Sequence, residues 1–140
     1  MREDEGSTLL LTIFYGFLSL VLVLLVVAAS SLYLERKRLF TLADGAALVG
    51  AESFDLSDVM VTPSGPRVHL QSTDVAAAVT TYVASTPSGF ESLRVVRAES
   101  VDGRSATVTL SAYWRPPMVS LLVPEGIPIE VTAIARSVFD

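Results

Sequence analysis

From Leu9 to Leu34 the chain runs 26 residues without an Asp, Glu, Lys or Arg. An α-helix rises about 1.5 Å per residue, so about 20 apolar residues cross a hydrocarbon core about 30 Å thick. This run is long enough to span a bilayer with tilt. It exceeds the roughly 7–15-residue apolar core of a cleaved secretory signal. The small residues after it (Ala28, Ala29, Ser30 and Ser31) only weakly resemble a cleavage site. A retained transmembrane helix over residues 9–34 is therefore expected. A cleaved signal and the buried core helix of a soluble protein are the weaker readings. The chain is 51% hydrophobic with a mean hydropathy of +0.53. Most of that excess sits in this run, and the remainder reads as an ordinary small domain.

The flanks fit a membrane segment. A polar leader, residues 1–8, carries Arg2-Glu3-Asp4-Glu5-Gly6, and Ser7 or Thr8 is placed to cap the helix. Acidic residues at a helix N-terminus are favoured by its dipole. Tyr33 falls at the expected aromatic belt, and Glu35-Arg36-Lys37-Arg38 closes the span. Three bases on the far flank oppose an acidic leader. Taken literally, the positive-inside rule would leave the C-terminal domain in the cytoplasm.

Helical spacing continues beyond the span. Leu39, Leu42, Ala43, Ala46, Val49 and Gly50 recur at three- and four-residue intervals, so a helical extension over residues 35–53 is expected. Ala43, Ala46, Ala47, Gly50 and Ala51 form small-residue ladders. Such ladders let helices approach closely, which makes this a candidate packing face toward other helices of an assembly. The alternative is that alanine is simply a good helix former. Gly45 costs the helix about 1 kcal/mol against alanine, which marks a close contact or a bend.

Residues 54–140 read as a small α+β domain. Phe54 to Pro66 is rich in Asp, Ser, Pro and Gly and reads as a connecting loop. Val68-His69-Leu70 reads as a short extended piece. Ser72-Thr73-Asp74 offers an N-cap before a short helix over Val75–Val83, which Pro87-Ser88-Gly89 ends. Three strands follow, at Ser92–Val101, Ala106–Trp114 and Ile127–Val138, with Asp102-Gly103 as a hairpin turn and Met118–Val123 as an apolar link. An antiparallel meander covered on one face by helix is the expected product.

Composition argues against several kinds of chemistry. Net charge is −5 with no long basic block, which speaks against nucleic acid. There is no cysteine, so a disulfide framework and a thiolate metal site are excluded. His69 is the single histidine and lies in no recognisable motif, so an exposed side chain is expected rather than a catalytic base. Asp55 and Asp58 are too sparse for a metal site and read as solvated loop acids. Trp114 beside Tyr113 reads as core packing rather than a contact surface. No catalytic residue, cofactor, metal or small-molecule substrate is expected.

A long N-terminal helix followed by a small antiparallel sheet is the layout of type IV pilin-like subunits. The leader ending in Glu5-Gly6-Ser7, the apolar span, and Leu42-Ala43-Asp44-Gly45-Ala46-Ala47-Leu48-Val49-Gly50-Ala51 resemble the TadE/TadG-like proteins of tight-adherence (Flp-type) pilus systems. Those proteins carry an Ala-Asp-Ala-Ala-Ala-Leu-Ala-Gly-Ala-like run just beyond the membrane, from which Gly45 and Val49 depart by small exchanges. The closing strand with Ile129-Glu130-Val131-Thr132-Ala133-Ile134-Ala135 also resembles that family, and the chain as a whole, with no acid five residues after Gly6, resembles its TadG-like branch more closely. The resemblance implies a minor pilin or assembly subunit in the bacterial cell membrane. Its N-terminus would be cytoplasmic and its domain extracytoplasmic, against the flank charges, which are only a bias. Its partners would be other pilins or assembly proteins in a hetero-oligomer, together with the bilayer. Prepilin-peptidase substrates have a Glu five residues after the Gly. Here Ser7-Thr8-Leu9-Leu10-Leu11 follows Gly6, which weighs against cleavage between Gly6 and Ser7. A membrane-anchored extracytoplasmic interaction protein with no pilus role is the alternative.

Overall fold

The computed structural model describes residues 4–54, 57, 59–63, 65–116, 120 and 123–137. Its elements are α1 (Asp4–Ala51), β1 (Val59–Thr62), β2 (Gly65–Val68), α2 (Ser72–Ser85), β3 (Glu91–Glu99), β4 (Ser105–Trp114) and β5 (Ile127–Arg136), an α+β chain. It divides into two compact units, Met1–Leu34 and Glu35–Asp140. Asp55, Asp58, Val138 and most of the apolar link Met118–Val123 lie outside the described residues.

The first unit is the apolar part of α1. Its large side chains are exposed: Leu10, Phe17 and Val26 are 71%, 65% and 61% exposed. The pattern changes in the second unit. From Leu39 onward α1 buries Leu39, Leu42, Ala43, Ala46, Ala47, Gly50 and Ala51, while Phe40, Thr41, Asp44 and Leu48 stay exposed. The buried positions repeat at intervals of three and one, which is one stripe of a 3.6-residue helix.

What covers this stripe belongs to the same chain. A Cβ added at Gly50 would stand 3.2 Å from the Cβ of Ala106 on β4 and 3.2 Å from a methyl each of Val75 and Val79 on α2. A Cβ at Gly45 would stand 2.5 Å from the Tyr82 hydroxyl, so Gly45 marks a close contact with α2. This differs from the expectation of a face turned toward other helices. Ala43, Ala46, Ala47 and Ala51 are fully buried in the chain itself, and Gly50 packs on its own α2 and β4. The physical reason is size: a domain this small needs the helical extension as a wall of its core.

The main sheet has the order β3-β4-β5, antiparallel throughout. Val108 pairs with Ala133, Leu110 with Val131 and Ala112 with Ile129, so the inward rows of β4 and β5 are apolar across the sheet. Trp114 is buried at 7% exposure, as expected for core. The outward rows are mixed, with Ile134 65% exposed among polar residues, and the Thr109 and Thr132 hydroxyls hydrogen-bond to each other at 2.9 Å. Both edges carry features that resist further strand pairing. β3 has two register shifts, with Ser92 at φ 52° in the first and Val96 as the unpaired residue of the second. β5 has Pro128 near its start.

Three local readings are corrected. Residues 54–66 are not all loop: β1 and β2 pair as a hairpin, Val59 with Val68 through Thr62 with Gly65. Pro66 is tolerated because a two-stranded sheet consists of edges. α2 starts at Ser72, and its N-cap is Gln71 without a side-chain cap bond. The Ser72 hydroxyl instead donates to the Ser100 carbonyl and accepts from the Ser100 N–H, both at 3.1 Å, tying α2 to the end of β3. The β3–β4 connection is a wider loop than a two-residue turn. Asp102 closes it by accepting from the N–H groups of Arg104 (2.9 Å) and Ser105 (2.7 Å) and from the Ser105 hydroxyl.

Because the small-residue stripe is core, enlarging it should strain the domain. Ala47→Leu is expected to cost about 1–3 kcal/mol through overpacking, lowering the melting temperature by about 4–8 °C per kcal/mol. Leu48→Ala, on the exposed face, should change stability by no more than about 0.5 kcal/mol. Thermal unfolding followed by Trp114 fluorescence checks this, and equal melting temperatures for the two variants would refute the assignment.

Candidate functional site

The apolar half of α1 presents a long exposed apolar surface. All its backbone groups but those at the ends are bonded within the helix, the condition for entering lipid. The Thr12 hydroxyl is also satisfied there, donating to the Thr8 carbonyl at 2.8 Å. The described residues contain one helix long and apolar enough to cross a membrane, and none of its apolar window is buried. Gly6 and Ser7 lie within α1, so the candidate cleavage position is helical. Immediately after the span come three exposed bases, Arg36, Lys37 and Arg38. Arg38 approaches Glu35 at 3.6 Å, a long surface contact of little energetic weight.

Residues 6–53 match the family described as putative Flp pilus-assembly TadE/G-like. The matched segment is nearly coextensive with α1, so the likeness resides in this helix and its extension. It covers about a third of the chain. No curated protein and no solved structure matches the chain. The matched segment associates the chain with Flp pilus assembly, and its apolar helix indicates single-pass anchoring.

Beyond the matched segment, one pocket of about 290 Å³ is lined by Thr62, Arg67, His69, Asp102, Gly103 and Arg104. It forms because the 69–70 segment crosses the β3–β4 loop. The Leu70 N–H donates to the Gly103 carbonyl at 2.8 Å, and the exposed His69 ring lies over Gly103, where a Cβ would come within 2.6 Å of Nδ1. Gly103 adopts φ 70°, so glycine is required there twice over. The arrangement ties the 69–70 segment to the β3–β4 loop. The Asp102 carboxylate is engaged by the loop's own N–H groups and hydroxyl. Among the described residues, no group of three or more His, Cys, Asp or Glu is placed to hold a metal ion.

A second pocket, about 340 Å³, lies where α1 meets the end of α2, with Arg38, Thr41, Tyr82, Thr86, Ser88 and Phe90 in its wall. Sequence reasoning missed it. Its residues come from two segments, 38–42 and 82–90, about 40 positions apart, and no spacing signal links them.

The Arg104 N–H, the Ser105 N–H and then the Ser105 hydroxyl hold the Asp102 pKa down, from 3.8 to about 2. A depressed carboxylate stabilises the fold above its unfolded pKa, and that contribution fades as pH falls from about 4 to about 2. Carboxyl-carbon NMR of the detergent-solubilised chain should show Asp102 titrating near pH 2, with faster exchange of the Arg104 and Ser105 amides over the same window. A midpoint near 3.8 would mean that the carboxylate does not hold the loop.

Proposed function

We propose that the chain is a minor pilin or assembly subunit of a tight-adherence pilus system, held by one transmembrane helix and working through protein–protein contacts. The observation that carries this reading is the TadE/G-like match over residues 6–53, which falls on a helix whose apolar half has no partner in its own chain. A helix of this kind rests in lipid before assembly and exchanges lipid for neighbouring helices during it, since packing and lipid compete closely in a membrane.

The orientation proposed is N-terminus cytoplasmic and residues 54–140 extracytoplasmic. Other pilins or assembly proteins are the proposed partners, in a hetero-oligomer. The burial of Ala43, Ala46, Ala47, Gly50 and Ala51 within the domain leaves two parts of α1 for those partners. One is the span itself; the other is the opposite face of the extension, where Phe40 and Leu48 are 47% and 53% exposed. The N-terminus is proposed to remain uncut between Gly6 and Ser7, because no acid follows at the expected spacing.

A charge in the middle of the span separates anchoring from folding. Leu22→Arg adds about 2.5–3.5 kcal/mol to insertion and should move the chain from the membrane to the carbonate-soluble fraction, with loss of surface pili. Phe40→Ser combined with Leu48→Ser should leave membrane insertion intact and reduce piliation, counted by electron microscopy. Normal piliation in cells lacking the chain would reject the pilus role. Mass spectrometry of the mature protein should find its N-terminus upstream of Ser7.

A further inference from the structure

We propose that the pocket between α1 and the end of α2 binds the phosphate of an anionic phospholipid headgroup. The proposal rests on the membrane-anchored reading above and adds a ligand to it. Three observations carry it. The first is position in the chain: Arg38 and Thr41 follow the end of the uncharged run at Leu34 by one and two helical turns, so a bilayer crossed by that run brings headgroups to this stretch. The second is charge. The chain carries −5 overall, yet Arg36, Lys37 and Arg38 stand together and exposed, with Glu35 as the one acid among them. Bases beside a membrane segment attract anionic lipid.

The third is the pocket's chemistry. Its volume of about 340 Å³ suits a headgroup, and its wall contains no carboxylate. Two of its hydroxyls are already committed as donors: Thr41 to the Lys37 carbonyl at 3.0 Å and Thr86 to the Tyr82 carbonyl at 2.7 Å. The donors left to face a ligand are the Arg38 guanidinium and the hydroxyls of Tyr82 and Ser88. Arg38 is held only by the 3.6 Å contact with Glu35, which a phosphate can displace. Leu42, Pro87 and Phe90 supply an apolar side suited to the glycerol and first acyl carbons. A guanidinium, two hydroxyls and an apolar shelf match a lipid phosphate better than a free inorganic anion, which has no use for the shelf.

The test uses the full-length chain in nanodiscs of equal parts phosphatidylglycerol and phosphatidylcholine, with lipid retention read by native mass spectrometry after release into detergent. Preferential retention of phosphatidylglycerol is expected, and Arg38→Gln should lower it by about fivefold, the effect of one base at an anionic surface. Ser88→Ala should lower it by a smaller factor, with melting temperatures unchanged in both variants. Arg36→Gln with Lys37→Gln should have less effect than Arg38→Gln alone. Equal retention of the two lipids would overturn the proposal, as would a loss that follows Arg36 and Lys37 rather than Arg38. Displacement of the retained lipid by inorganic phosphate would overturn it in favour of a free-anion site. Reduced piliation in Arg38→Gln with unchanged lipid retention would overturn it in favour of a protein partner. Carbonate extraction keeps the two readings apart: a chain that stays embedded but shows no lipid preference sinks this proposal and leaves the anchor standing.

Discussion

Backbone N–H and C=O groups cannot be left unpaired in hydrocarbon, and this constraint governs the first quarter of the chain. A 26-residue uncharged run meets it as a helix, whose bonds are all internal. The apolar side chains of that helix then need no cover from the rest of the chain, and the large ones are exposed. Beyond Leu34 the same secondary structure answers a different demand. The helix acquires one buried face and one exposed face, the pattern of a helix packed in water-soluble surroundings.

The buried face depends on small side chains. Gly50 sits against Ala106, Val75 and Val79 at distances that already leave a Cβ tight, and Gly45 accommodates the Tyr82 hydroxyl. Larger residues would hold α2 and β4 away and open the core. Alanine in this stretch therefore combines good helix propensity with close approach, and the two explanations offered by the sequence do not compete. The same small residues that in a membrane would draw separate helices together here join the parts of one domain.

Strong periodicity made the larger elements legible. The length of the uncharged run identified α1, and alternation in Ala106, Val108, Leu110 and Ala112 gave the inner face of β4 correctly. The same held for Ile129, Val131 and Ala133 on β5. The β1–β2 hairpin was hidden because four-residue strands give too few alternations, and Pro63 and Pro66 are usually read as breaks. The cap at Ser72 was misread for another reason. Its hydroxyl is drawn to Ser100, 28 positions away, and only the tertiary fold makes that partner available. The small-residue stripe was visible in sequence, but whether its partner lay inside or outside the chain was not, since both uses require the same spacing. The pocket at Arg38, Tyr82 and Ser88 left no trace, because two distant segments build it.

The placement of the basic residues links anchor to domain. Under the proposed orientation Arg36, Lys37 and Arg38 flank the span on its extracytoplasmic side, against the usual bias. That bias acts during insertion, whereas bases on a finished helix interact with whatever lipid surrounds them. A phosphate held by Arg38 gives the charge a local function independent of topology. It also accounts for why the base at position 38 is built into a pocket wall while its neighbours at 36 and 37 are simply exposed. The acidic remainder of the chain strengthens this asymmetry. An anionic surface repels acidic segments, so the attraction is concentrated at this one short basic segment.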